Sequence, residues 1–144
     1  MMCDCNSKYM TNAIPYIGKG TVPEGLGAGE YFITKLVETV KIRNRDITMD
    51  NWFTSLPLLK KLRTEYELKA IGTLKNNKKE LPTEFRDVKY RKRSTKSSFS
   101  FFQPNITAVS CKPKPDKLVT LVSTLHCDSS IITNTGKPEM THKH

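Results

Sequence analysis

Apolar and polar residues alternate in blocks along this chain, and the blocks predict a mixture of strands and helices. The first ten residues, MMCDCNSKYM, indicate the end of a strand that runs into a turn at residues 6–7. Residues 13–20 (AIPYIGKG) predict a second strand, with an edge position or a bulge at Pro15. Residues 18–29 are rich in glycine and predict a loop.

The pattern changes to a helical period at Glu30. The apolar residues that follow fall on one face of a helix, and they are Phe32, Ile33, Leu36, Val37 and Val40. Residues 46–50 (DITMD) predict a short strand that ends at Asp50, and residues 67–74 (ELKAIGTL) predict another. Between them, Thr54 or Ser55 is suited to cap a second helix, whose apolar stripe is Leu56, Leu59 and Leu62.

The second half of the chain has a different pattern of polar and apolar residues. Residues 75–98 are polar and basic without a clear period, which predicts a mobile, solvent-exposed segment. Short β-rich stretches follow at residues 99–102, 106–115 and 117–124, and the prolines near Asp116 indicate a hairpin turn. The order of elements in the whole chain predicts a mixed α/β fold.

The net charge narrows the possible partners. The chain carries a formal charge of +10, and such a surplus favours polyanions, of which nucleic acid is the commonest for a soluble protein. No apolar run is long enough to span a membrane, and the first residues lack the pattern of a signal peptide. We therefore expect no membrane association and no entry into the secretory pathway.

The four cysteines are Cys3, Cys5, Cys111 and Cys127, and they lack the paired spacing of a structural zinc site. Free thiols in a reducing compartment are the simpler interpretation, and the pattern assigns these cysteines no role.

Two aspartates stand where strand-like runs stop. Asp4 and Asp50 both follow predicted strands, and functional side chains of α/β sheets gather beyond the carboxyl ends of strands. Carboxylates are hard oxygen ligands that suit Mg²⁺ or Mn²⁺, and two or three of them can hold a metal pair about 4 Å apart. An aspartate in this position is also a common turn or cap residue, so the pattern alone leaves both interpretations open.

Five stretches resemble a known family. In order they are MMCDCNSKYMTNAIPYIGKGT, ITMDNWFTSLPLLKKL, AIGTLKNNKKELP, TAVSCKPKPDKLVTLVST and TGKPEM. Together they closely resemble the central part of piggyBac-type DNA transposases and of the host genes derived from them. The resemblance extends from Met1 to about Met140.

The resemblance implies a fold and a division of the chain. It implies an RNase H-like core of the DDE transposase type, interrupted by a β-rich insertion. Residues 1–74 would be the N-terminal part of the core, residues 75–132 the insertion with its basic loop, and residues 133–144 the start of the return to the core.

The resemblance also implies a chemistry. Family members use three aspartates and divalent metal, Mg²⁺ or Mn²⁺, to cleave DNA at transposon ends and to join it to TTAA targets. Asp4 matches the first of these aspartates and Asp50 the second. A nuclear protein that acts as a homodimer in its full-length form is implied as well.

One part of the family pattern is missing. The third aspartate of the family lies beyond TGKPEM in a Gly-Gly-Val-Asp segment, which this chain does not reach. Asp116 and Asp128 match the insertion, so neither replaces it. We therefore expect a catalytic-core fragment that is inactive alone. The alternatives are a domesticated, non-catalytic DNA-binding module and a non-functional gene fragment.

Residues 86–96 hold six basic residues and one acidic residue, which suits contact with DNA phosphates. The basic residues are Arg86, Lys89, Arg91, Lys92, Arg93 and Lys96; a merely solvated loop is the alternative. Trp52 and Phe53 are expected to pack in the core beside the site. Asn51 is expected either to orient Asp50 through its side chain or to start the turn.

Overall fold

The computed structural model describes residues 1–40, 45–86, 92–126, 131–132 and 137–138. Within them the elements follow the chain as β1 (Met2–Cys3), β2 (Met10–Asn12), α1 (Ala28–Val37), β3 (Asp46–Met49), α2 (Leu56–Glu65), β4 (Lys69–Leu74), α3 (Thr83–Arg86), β5 (Ser97–Gln103), β6 (Ile106–Lys114), β7 (Lys117–Ser123), β8 (Ile131–Ile132) and β9 (Lys137–Pro138). A 3-10 turn, Glu38–Val40, extends α1. The predicted mixed α/β class is confirmed.

Five strands form the main sheet, in the order β3-β4-β7-β6-β5. β3 and β4 are parallel, with Met49 opposite Gly72, as expected for strands joined through a helix. The remaining neighbours are antiparallel, and Leu74 at the end of β4 lies opposite Thr120 of β7. β1 and β2 form a separate antiparallel pair, and so do β8 and β9.

The sheet is continuous across the predicted boundary between residues 74 and 75. β7 bonds directly to β4 along residues 71–74, so strands from both sides of that boundary share one hydrogen-bonded ladder. The division into a core and an insertion remains a proposal about how the chain is organised. What the structure shows is that strands from both parts are continuous in one sheet.

The two long helices bury their apolar stripes against one face of this sheet. Ser55 caps α2, since its side chain accepts a hydrogen bond from Leu58 N at 3.3 Å, and Pro57 lies in the first turn. The main apolar cluster joins both helices to four strands, and its members are Ile33, Val37, Met49, Leu58, Leu59, Leu62, Leu68, Ala70, Leu74, Leu81, Phe85, Ala108 and Val122. Among the described residues no helix has the length and apolar character that a membrane crossing requires.

The opposite face of the sheet carries a smaller apolar cluster. Ile71, Val109 and Leu121 are buried there and lie next in sequence to members of the main cluster. Because successive strand residues point to opposite faces, β4, β6 and β7 contribute apolar side chains to both.

The predicted second strand was placed too late in the chain. The strand is Met10–Asn12, and residues 13–20 contain no strand. Pro15 lacks a backbone N–H to donate, while Gly18 and Gly20 adopt φ values of 98° and 97°, which end an extended conformation.

The segment predicted to be mobile and exposed contains ordered, buried structure. Leu81 and Phe85 are both 2% exposed and belong to the main cluster, and Phe85 meets Phe99 edge-to-face at 5.5 Å. Leu81, just before α3, and Phe85, within it, anchor this part of the segment to the main cluster, although the surrounding polar residues mask the pattern. Residues 87–91 of this segment lie outside the described residues.

Candidate functional site

Asp4 lies in the tight turn that joins β1 to β2. Its Oδ1 accepts hydrogen bonds from Asn6 N at 3.1 Å, Ser7 N at 2.8 Å and Ser7 Oγ at 2.8 Å. The turn closes where Asp4 N donates to the Tyr9 carbonyl at 2.8 Å. The backbone N–H of Ser7, and then its hydroxyl, hold the pKa of the Asp4 carboxyl below its ordinary value because they favour the charged form.

Asp50 lies in the turn that joins β3 to α2, and its side chain is exposed. Its Oδ1 accepts a hydrogen bond from Asn51 N at 2.6 Å, and its carbonyl accepts from Phe53 N and Thr54 N at 3.1 Å each. Asn51 therefore contacts Asp50 through its backbone, as expected of a residue that starts the turn.

Thr54 anchors the Asp50 turn to the sheet. Its hydroxyl donates to the Asp50 carbonyl at 2.8 Å, and the residue is 1% exposed. Gly72 of β4 makes the space, because a Cβ at this position would lie 2.3 Å from Thr54 Oγ1 and 3.1 Å from the Met49 carbonyl. A glycine eighteen residues away thus determines how closely the Asp50 turn approaches β4.

Both aspartates follow strands, as predicted, and they line adjoining cavities along β3. A cavity of about 290 Å³ is lined by Asp50 together with Cys3 and Cys5, the neighbours of Asp4 on either side. Asp4 itself lines a cavity of about 880 Å³ with Arg45 and Asp46. The β1–β2 turn therefore lies alongside β3, with Asp4 beside the first residues of β3 and Asp50 directly after its last residue.

Each of the two carboxylates has an oxygen that could contact a metal ion. Among the described residues no hydrogen bond reaches Oδ2 of either aspartate, so each keeps one oxygen for another partner. Hard oxygens of this kind suit Mg²⁺ or Mn²⁺. Three or more histidine, cysteine or acidic side chains do not converge anywhere in the described ranges. The assignment of Asp4 and Asp50 as metal ligands therefore stays a prediction that rests on the family resemblance.

Three of the four cysteines lie within the described residues. Cys3 and Cys5 are exposed, Cys111 is buried, and no disulfide bond joins them there. Cys127 lies outside the described residues.

The predicted basic residues have different environments. Lys92 and Lys96 are exposed, whereas the Arg93 guanidinium donates to the Ser110 carbonyl and, at 3.0 Å, to its hydroxyl. Burial lowers the pKa of Arg93. The Arg93 guanidinium therefore binds to β6 within the protein. The prediction for this residue was a contact with DNA phosphates. The Arg86 side chain, Lys89 and Arg91 lie outside the described residues.

A second basic surface escaped the sequence reasoning. We call it the lysine groove: it is a cavity of about 640 Å³ between the end of β4 and the β6–β7 turn, and Lys75, Lys112 and Lys117 line it. A smaller groove of about 340 Å³, lined by Lys75, Lys117 and Asn51, connects it to the Asp50 turn. The sequence did not predict this surface, because the pairing of β7 with β4 that brings Lys117 close to Lys75 has no local signature.

Trp52 also differs from expectation. It is 52% exposed, while Phe53 is half-buried and packs against the main cluster. The prediction of core packing is therefore wrong for Trp52.

Comparison with known proteins defines the class of this fold. The sequence model of the family described as Transposase IS4 matches residues 1–144, and the chain belongs to that family. A solved piggyBac transposase, described as a synaptic complex with hairpin DNA, shares 45% sequence identity and superposes with a TM-score of 0.88. The chain is accordingly a piece of the RNase H-like catalytic core of a piggyBac-type transposase.

The family model matches this chain along its whole length, whereas the chain matches only part of the solved transposase. The superposition covers 98% of this chain and 29% of that transposase, so the chain spans less than a third of the solved protein's length. No curated protein matches the chain at a significant level. Transposases of this DDE class generally use divalent metals.

Proposed function

We propose that this chain supplies two metal-binding aspartates and part of the DNA-contact surface of a transposase that cleaves and rejoins DNA. The observation that carries the proposal is the placement of Asp4 and Asp50 behind strands β1 and β3, on adjoining cavities, where the hydrogen bonds from described residues reach only Oδ1 of each carboxylate. The match to a piggyBac transposase solved with DNA supports DNA as the substrate.

Asp4 and Asp50 would hold Mg²⁺ or Mn²⁺ together with a carboxylate from outside the described residues. The bound metal would activate a nucleophilic water or hydroxyl and stabilise the leaving oxygen of a phosphodiester. The protein's own part is to position the two carboxylates. Ser7 holds the Asp4 carboxylate ionised and oriented, and the Asn51 N–H orients the Asp50 carboxylate.

The lysine groove would guide the DNA backbone toward Asp50. Lys75 and Lys117 are exposed, and both also line the smaller groove that reaches Asn51. Phosphate contacts from such lysines give affinity that falls with salt concentration and carry no sequence information. Lys92 and Lys96 are the members of the predicted basic run whose exposure suits the same role. We extend this proposal to the whole protein, which would recognise TTAA targets, form a dimer and be located in the nucleus.

Metal binding by the chain tests the proposal directly. We would follow the carboxyl ¹³C signals of the aspartates while Mn²⁺ is added and expect Asp4 and Asp50 to broaden first. Asp50→Asn should weaken Mn²⁺ binding, whereas Asp116→Asn in the β6–β7 turn should leave it unchanged. Equal broadening of all exposed carboxylates would contradict a site at these two residues.

DNA binding is tested separately by fluorescence anisotropy of a labelled duplex. Affinity should fall steeply with salt, and Lys75→Ala with Lys117→Ala should reduce both the affinity and the salt slope. Lys60→Ala with Lys79→Ala removes the same charge from exposed positions that line none of these cavities and serves as the control. Equal losses in the two double variants would mean that only net charge matters.

A further inference from the structure

Beside Asp50 lies an apolar groove that neither the proposed metal site nor the lysine groove uses. It has a volume of about 710 Å³, and its aromatic lining consists of Tyr16, Phe32, Trp52 and Phe53. We call it the Trp52 groove. Its walls come from the loop after β2, from α1 and from the turn after β3, so three separate segments converge on it.

The backbone that carries Trp52 is held firmly from behind. A Cβ on Gly29, in the first turn of α1, would lie 3.3 Å from Phe53 Cα and 3.3 Å from the carbonyl oxygens of Trp52 and Phe53. The helix therefore packs directly on this backbone. Phe53 also meets the indole edge-to-face, with ring centroids 4.7 Å apart and an interplanar angle of 85°.

Trp52 thus carries a half-exposed aromatic side chain on a closely packed backbone, two residues from a proposed metal ligand. A tryptophan face is a strong partner for the face of a nucleobase, and such stacking tolerates any base. Tyr16, which is 69% exposed, stands on the opposite segment of the same groove. The groove is large enough for a flat heterocycle between these walls.

A reason for a base to leave its stack comes from the solved relative, which holds hairpin DNA. A tight DNA hairpin leaves bases at its tip without stacking partners, and proteins stabilise such bases on aromatic side chains. We propose that Trp52 and the groove it lines receive one unstacked nucleobase of a DNA end whose backbone lies at Asp50. This inference rests on the proposed function and specifies what the site recognises besides phosphates.

Trp52 is the chain's only tryptophan, so its intrinsic fluorescence reports on this groove alone. We would titrate the 144-residue chain with a DNA hairpin that has an unpaired base at its tip, and with the same hairpin carrying an abasic site there. Base stacking should quench the fluorescence, and the abasic hairpin should quench it much less. Anisotropy of the labelled hairpins measures binding independently.

The variants sharpen the test. Trp52→Ala should weaken binding of the base-containing hairpin by about fivefold or more, with little effect on a fully paired duplex. Trp52→Phe should retain most of the affinity. Phe102→Ala removes another half-exposed aromatic, on edge strand β5, and should change neither measurement.

Two failures are distinguishable. If anisotropy shows hairpin binding while Trp52 fluorescence stays constant and Trp52→Ala binds equally well, the nucleobase site is wrong and the DNA-binding function stands. If no DNA binds to the chain at any salt concentration, both the proposed function and this inference are wrong.

Discussion

The turns that hold Asp4 and Asp50 present the same side chain after the same kind of element, yet they are built differently. The Asp4 turn is held by its own residues, through hydrogen bonds from Asn6 and Ser7 within a two-stranded ribbon. The Asp50 turn is held by the core, because Thr54 is buried against Gly72 of β4. One carboxylate is positioned by local sequence and the other by tertiary packing.

This difference teaches where each position is vulnerable. A change near Asp4 should alter the electrostatics of the carboxyl with little effect on the fold. A change near Asp50 should be felt first as a loss of stability, since the turn cannot move without disturbing β4 and the main apolar cluster.

Gly72→Ala should cause the largest loss of stability, because it disturbs the packing that holds the Asp50 turn. The new Cβ would overlap Thr54 Oγ1, so either the Asp50 turn or β4 must shift, at a cost of about 1–3 kcal/mol in the free energy of unfolding. Urea denaturation measures this cost. Gly27→Ala is the matched control, because a Cβ there meets nothing within 4 Å. Similar losses in the two variants would show that packing at Gly72 is not special.

Thr54→Val should produce a smaller loss of about 1 kcal/mol. Valine keeps the shape of the buried side chain but removes the hydroxyl that donates to the Asp50 carbonyl. Denaturation midpoints compared with wild type give the value. If Thr64→Val, which removes an exposed hydroxyl in α2, costs as much, the Asp50 bond would have no particular role.

Ser7→Ala should act on the pKa of Asp4. The folded-state pKa is lowered, so the charged form stabilises the turn above the unfolded value of about 3.9, and this stabilisation is lost as pH falls through the lower folded pKa. Removing the hydroxyl should raise the pKa part of the way, because the Ser7 N–H remains. A ¹³C titration of the Asp4 carboxyl measures it, and Asn6→Ala, which keeps its donating N–H, should leave it unchanged.

Lys61→Met should have the smallest effect. Lys61 Nζ donates to Glu30 Oε1 at 2.8 Å, which links α2 to the turn of α1 that packs on Phe53, and this bond raises the pKa of the lysine. Its stabilisation is complete below the unfolded pKa of about 10.4 and is lost as pH rises through the higher folded value. Both side chains are partly exposed, so the decrease in Tm should be slight and should vanish at high salt. Lys60→Met is the control.

The features that the sequence predicted are those determined by neighbouring residues. The features that it did not predict depend on residues far apart in the chain. The stripe of α2 with its Ser55 cap, the strands β3 and β4 and the β6–β7 hairpin depend on nearby residues, and their patterns predicted them. Gly72 under Thr54 and Lys117 beside Lys75 depend on pairings across many residues. No period or motif marks such pairings, so neither the anchor of the Asp50 turn nor the lysine groove could be predicted.

The family resemblance supplied what the patterns lacked. The stretches around Asp4 and Asp50 pointed to a transposase core, and the family match confirms that class. Their assignment as metal ligands stays a prediction until metal binding is measured.

The order of strands in the main sheet has a consequence for how the molecule forms. β4 receives its second neighbour only from β7, more than forty residues further along the chain. Until β7 has been synthesised and docked, one side of β4 exposes unpaired backbone groups that invite pairing with other chains. Closing so long a loop is slow, so we expect the docking of β7 to limit the rate at which the sheet forms. The Asp50 turn, which packs on β4, would be completed at the same rate.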